Sequence, residues 1–349
     1  MKQTAVVVAP GRGTYNKAEL GYFARHHAAR GEMLDAFDAY RADAGQEAVS
    51  ALDGAERFSG AKHTRGDNAS PLIYACAFAD YLAIDRDRFD VIGVTGNSMG
   101  WYIALACGGA LDPMGGFEVV NTMGMLMQER LIGGQLIYPY FDKEWKEIEG
   151  GREKIERKMF EIDKRADHVL GLSIDLGGML VIAGNEAGLA AFEAEMPRVD
   201  DRFPMRLPNH AAFHTALQEP VAEEGRARLG RDLFHQPEVP LIDGRGAIWW
   251  PKAAELSGLW DYTLGHQVVR PYDFTAAIRV AARELMPDVF IMLGPGNTLG
   301  GAVAQSLIRA EWRGMVDKAS FQAAQAERPR LLSMGMDEQR GLVVGSHTG

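Results

Sequence analysis

The sequence predicts an α/β protein that carries a smaller inserted α+β unit, on three observations. First, Val91-Ile-Gly-Val-Thr-Gly-Asn-Ser-Met-Gly-Trp-Tyr-Ile-Ala-Leu-Ala-Cys107 passes from an apolar strand, through a tight glycine-flanked turn, into an apolar helix. Second, residues 135–207 read as strand, helix, two strands, helix and strand, the split βαβ order of a ferredoxin-like unit. Third, short apolar strands flank that unit on both sides, at 4–9 and at 288–293. The expected division is a larger α/β subdomain from 1–132 and 208–349, with a small subdomain at 133–207.

Composition bounds the function. At 349 residues, the chain exceeds what one small core usually holds, so a large domain with a subdomain is the natural arrangement. Hydrophobic residues make up 47% and charged residues 24%, as in an ordinary soluble globule. A net charge of −10 argues against a nucleic-acid partner. The two cysteines, Cys76 and Cys107, lie in apolar stretches and read as buried free thiols, in keeping with a reducing cytoplasm. The N-terminus lacks the pattern of a signal peptide, and no apolar run reaches membrane-spanning length.

Taken in order, 4–9 forms a strand that ends at the turn Pro10-Gly11-Arg12-Gly13-Thr14. Residues 17–53 read as helix and 54–67 as a surface loop. A strongly apolar helix at 71–84 opens on Ser70-Pro71, a cap followed by a first-turn proline. The strand at 91–96 and its turn follow, then a helix to Gly109. A helix at 116–130 carries Met123, Met125 and Met127, which at helical spacing read as core. In the insert, 145–166 reads as one charged helix and 185–196 as a second. Beyond it come Asn209 to Thr215, a Trp-rich stretch (Trp249, Trp250, Trp260), a helix at 272–285 and the strand at 288–293. The tail past Gly314 is expected to add a helix and a short strand at 341–345.

The chemistry centres on Gly96-Asn97-Ser98-Met99-Gly100. In a strand–turn–helix context this pattern is a nucleophile elbow: the glycines let strand and helix approach, and Ser98 is exposed on the turn. A serine hydroxyl is a weak nucleophile at neutral pH, so it needs a base and an oxyanion hole. The backbone N–H of Met99, at the positive end of the following helix, supplies one donor. The N–H of Arg12, from the first glycine-rich turn, is the candidate second. The plain alternatives are a simple loop at Arg12 and a turn whose serine caps a helix at Ser98.

These pieces together resemble one family. Residues 91–109, the pair Gly11 and Gly13, Gly124-Met125-Leu126-Met127-Gln128-Glu129, Phe213-His214-Thr215 and Leu293-Gly294-Pro295-Gly296 occur in the order of the malonyl-CoA:acyl-carrier-protein transacylases. The resemblance covers roughly residues 5–310. It implies an α/β-hydrolase-like large subdomain, a ferredoxin-like small one, and acyl transfer through an acyl-serine. Matched position by position, Ser98 is the nucleophile, His214 the base, and Gln267 the residue whose carbonyl orients that base. Arg12 and Met99 match the oxyanion donors. The partners so implied are acyl-CoA and an acyl carrier protein, with no cofactor and no metal. His210 is the rival base.

The acyl-selectivity candidates are Asn97, Met123 and Phe213. The departures from the resemblance are at Asn97 and Met123, at Arg12, where it calls for Gln in the first glycine-rich turn, and at Ser70-Pro71, where it calls for a Gln near the helix start. The resemblance calls for His where Asn97 stands. It also calls for an arginine, which holds the malonyl carboxylate, where Met123 stands. A buried carboxylate without a cation is costly, and methionine offers no bidentate fork. The expectation is therefore acetyl or another uncharged acyl group; Arg130 and Arg12 are the two cations that could stand in, neither from a favoured position. Three readings result: an acyltransferase, a thioester hydrolase of the same fold, and a non-catalytic carrier-binding homologue. The sequence leaves the oligomeric state open, with a monomer plausible.

Overall fold

The computed structural model of the protein describes residues 1–345. Its strands, in chain order, are β1 (Gln3–Ala9), β2 (Phe89–Gly96), β3 (Gly134–Pro139), β4 (Leu170–Leu176), β5 (Met179–Gly184), β6 (Met205–Arg206), β7 (Leu241–Ile242), β8 (Ile248–Trp249), β9 (Tyr272–Asp273), β10 (Val289–Met292) and β11 (Leu331–Ser333). They form two sheets. The larger has the order β11-β10-β1-β2-β7-β8, parallel throughout except for the β7–β8 edge. The smaller has the order β6-β3-β5-β4-β9 and is antiparallel except for the β4–β9 pair. The architecture is an α/β-hydrolase-like body with a ferredoxin-like subdomain.

Burial explains the strand chemistry. A parallel sheet is covered on both faces, so its strands read as continuous apolar runs. Ala5 to Ala9 of β1 are fully buried, with helix Gly100–Cys107 packed against the strand. Because β1 and β2 are adjacent and parallel, their C-terminal ends emerge at one edge. The turns at residues 10–13 and 96–100 therefore meet, as expected for sites on open α/β sheets.

Several elements differ from the sequence expectation. Residues 17–53 are not one helix: Gly21, at positive φ, precedes Tyr22–His27, a 3-10 turn at Ala28–Arg30 separates that helix from Gly31–Asp43, and Gly45, at positive φ, separates Gly31–Asp43 from Val49–Asp53. The expected loop at 54–67 contains a helical turn at Gly60–His63 and the start of the Gly66–Ala83 helix, so Pro71 is an interior residue. The ring removes a donor to the carbonyl of Asp67, but that carbonyl accepts from Arg41 Nη1 at 2.7 Å. The charged helix begins at Gly151 rather than 145, and ends at Asp163. Tyr272 and Asp273 pair with β4 as a fifth strand of the small sheet, and Asp273 then caps the helix Phe274–Val280. Residues 341–345 form no strand; Asp337–Val343 is a helix, and Val344 makes an isolated bridge to Ile84.

Candidate active site

The elbow is built by close approach. A side chain at Gly96 would put its Cβ 2.1 Å from the carbonyl oxygen of Gly100, and one at Gly100 would meet the Ala9 carbonyl oxygen at 2.5 Å. The two glycines thus let strand, turn and helix share a space that no side chain can enter. Ser98, between them, sits at φ 56°, a conformation that costs energy for any residue with a Cβ. Its hydroxyl lies 2.7 Å from His214 Nε2.

His214 is itself held at φ 59°. Its backbone N–H donates to the Val268 carbonyl at 3.0 Å. Its Nδ1 lies 2.6 Å from the carbonyl oxygen of Gln267, which makes Nδ1 the protonated nitrogen and leaves Nε2 free to accept from Ser98. That carbonyl is available for a local reason. It belongs to the short helix Gln267–Val269, and four residues on stands Pro271, which has no N–H to give it. The Gln267 side chain ties the pieces together, donating to the Ser98 carbonyl at 3.1 Å and accepting from the Tyr102 hydroxyl at 2.9 Å. Burial pushes the His214 imidazole down to about 4, against a smaller upward pull from the Gln267 carbonyl. The imidazole is therefore neutral at pH 7, the state a base requires.

Among the described residues, the backbone N–H groups of Met99 and Arg12 have no acceptor. They stand on two turns in contact: a Cβ on Gly11 would lie 2.7 Å from the Asn97 carbonyl oxygen. Unpaired N–H groups beside an activated serine are the requirement for holding a developing oxyanion.

A narrow cavity of about 20 Å³, room for little more than a water molecule, opens beside Ser98, His214 and Gln267. Met123, Met127, Val120 and Phe213 give it an apolar lining, and Arg12 reaches it too. A second, open cavity of about 350 Å³ runs between the two sheets and shares Arg12, Ser98 and Phe213 with the first. Asn97 faces this cleft, with its Oδ1 buried and unpaired.

His210 also lines the open cleft, but its Nδ1 lies 2.9 Å from Gln135 Oε1 on β3, and the Ser98 hydroxyl is bonded to His214 instead. Arg130 lines neither cavity and pairs with Glu224 at 2.5 Å. Tyr102 and Tyr272 escaped the sequence reading. Tyr272 donates its hydroxyl to the Gly96 carbonyl at 2.5 Å and packs against His214, with ring centroids 5.4 Å apart. An apolar helix and an unremarkable tyrosine carry no signal for either role. Among the described residues there is no group of three or more His, Cys, Asp or Glu suited to a metal, and no helix is long and apolar enough to cross a membrane.

No family model matches the chain. It is 24% identical over 208 residues to the malonyl CoA-acyl carrier protein transacylase of Salmonella typhimurium, a match covering 60% of this chain and 63% of that protein. In fold it is similar to the malonyl-CoA:ACP transacylase of Synechocystis sp. PCC 6803, with a TM-score of 0.74 at 18% identity, covering 98% of this chain and all of that one. It is likewise similar, with a TM-score of 0.69 at 18% identity over 94% of this chain and all of the other, to a malonyl-transacylase solved in complex with a type II polyketide-synthase acyl-carrier protein.

Proposed function

We infer, from the chain's kinship with the malonyl-CoA:acyl-carrier-protein transacylases, that it moves an acyl group from coenzyme A to the phosphopantetheine thiol of an acyl carrier protein. The observation that carries this reading is the relay of Ser98, His214 and the Gln267 carbonyl, with links of 2.7 and 2.6 Å.

In the first half-reaction Ser98 Oγ attacks the thioester carbonyl while His214 Nε2 takes its proton. The Met99 and Arg12 N–H groups receive the oxyanion. Collapse breaks the carbon–sulfur bond, and His214 returns the proton to the departing thiolate, leaving an acyl-serine and free coenzyme A. The carrier thiol then enters the same cleft, gives its proton to His214 and takes the acyl group. A neutral carbonyl holds the imidazole tautomer without a buried carboxylate, the orienting part of the role aspartate plays in a triad. The open cleft above Ser98 supports entry of a long pantetheine arm. The solved complex of a similar transacylase with its carrier protein supports the choice of acceptor. The wall of Val120, Met123 and Met127 supports a short acyl chain, and taken alone supports acetyl or another uncharged group.

Intact-protein mass spectrometry after mixing with malonyl-CoA or acetyl-CoA tests the reading. A mass increment of one acyl group that is absent in Ser98→Ala, and that is discharged by added holo-carrier protein, is the expected result. Rapid release of coenzyme A without carrier, and with no lasting increment, would instead identify a thioester hydrolase. No increment and no release would leave a carrier-binding protein.

A further inference from the structure

The lining of the Ser98 cavity is mostly apolar, but it includes a cation, Arg12. Arg12 leaves the first glycine-rich turn and lies along the Ser98 cavity, with its guanidinium 5.5 Å from the Phe213 ring centroid. Two hydrogen bonds hold it, from Nη2 to the carbonyl oxygens of Thr64 at 3.0 Å and Asn209 at 2.8 Å. Both partners are neutral. Nε is buried without a partner. Asp67, the carboxylate whose field reaches it, is bonded bidentately to Arg65 at 3.1 and 2.8 Å. Burial lowers the guanidinium to about 10, which still leaves it charged at neutral pH.

A buried charge is ordinarily paired. Here the side chain is fixed by carbonyls that orient it but do not neutralise it, and it packs against Gly66, where a Cβ would lie 3.4 Å from Nη1. The cavity it lines is the one into which the acyl group of an acyl-Ser98 must project. A guanidinium that no carboxylate neutralises, lining a narrow cavity, matches a carboxylate better than any neutral group.

We propose that Arg12 is the specificity-determining residue of the acyl pocket, and that through its side chain it accepts the free carboxylate of a short dicarboxylic acyl thioester. The proposal rests on the acyl-serine reading above. Arg12 then has two separable roles: its backbone N–H faces the oxyanion, and its guanidinium faces the far end of the acyl group.

The test is competitive acylation of the intact protein by malonyl-CoA and acetyl-CoA, read by mass. Wild type is expected to take malonyl in preference. Arg12→Gln keeps the backbone N–H and removes the charge, and it should lower the malonyl-to-acetyl ratio of kcat/KM about 100-fold. Arg12→Lys, which keeps a charge but not the fork, should fall between them and guards against loss of fold as the cause. Acylation by both thioesters with an unchanged malonyl-to-acetyl ratio in Arg12→Gln, or a wild-type preference for acetyl, overturns the proposal and leaves the acyl-serine reading intact. Absence of any adduct on wild type overturns both.

Discussion

Two histidines four residues apart, His210 and His214, occupy one loop and end in opposite situations. Burial holds both imidazoles well below the ordinary histidine range, to about 3 for His210, with the Arg12 charge adding to the shift, and to about 4 for His214. Yet His210 is bonded to Gln135, a side chain of the small sheet that also donates to Ser173 at 2.7 Å. His214 is bonded to a backbone carbonyl on one side and to a strained serine on the other. A lowered pKa therefore does not separate a base from a structural histidine. What separates them is the partner of the second nitrogen, and whether that partner can react.

The comparison is broken most directly by truncating each ring. His214→Ala is expected to slow acyl-serine formation at least about 1000-fold, as for loss of a general base. His210→Ala should slow it less than about tenfold, measured by stopped-flow release of coenzyme A. Equal losses would erase the distinction.

Acidity sharpens it next. With the His214 imidazole at about 4, the acylation rate should stay level from pH 8 to about 6 and fall off only near pH 4; an acid limb near 6.5 would mean a solvated imidazole. Stability follows the same sign. Both folded-state values lie below the ordinary 6.5, so the unfolded chain takes up protons first. The contribution is fully present above about pH 6.5 and is lost as pH falls through about 4 and then about 3. Melting temperatures between pH 7 and pH 4 should therefore fall less steeply in His210→Ala than in wild type.

Two smaller effects probe what surrounds the rings. Met123→Ala should cost about 2–4 kcal/mol of stability in chemical denaturation and admit longer acyl chains, because a buried methionine leaves a cavity beside Ser98. Tyr102→Phe removes one hydrogen bond to the Gln267 side chain and should lower the acylation rate only a few-fold, since the orienting carbonyl is untouched.

The elbow was legible because its causes are local. Gly96 and Gly100 are there to let backbone meet backbone, and a glycine-flanked serine between an apolar strand and an apolar helix fits few other local structures. The order of strands in the small subdomain was legible from alternating element types, although its fifth strand, β9, was not. Its two residues, Tyr272 and Asp273, pair with Ile174 and Asp175 far back in the chain and have no periodicity to read. The break in the helix expected at 17–53 shows the opposite error, since helical patterning continues across a 3-10 turn at Ala28–Arg30 and across Gly45, whose positive φ only the fold reveals. Pro71 was misplaced for a similar reason, because the compensating donor is Arg41, on a different helix.

What the sequence determined by itself is the nucleophile turn, the α/β order and the identity of the reactive groups, all carried by short-range sterics and residue chemistry. The resemblance put His214 rather than His210 at Ser98; tertiary structure supplied the reason, with His210 bonded to Gln135 and Pro271 leaving the Gln267 carbonyl free to hold His214. It alone decided that the side chain of Arg12, and not its backbone alone, lines the cavity beside Ser98. Each of these depends on where a loop crosses the cleft, and that position is set by the packing of two sheets whose strands lie far apart in the chain.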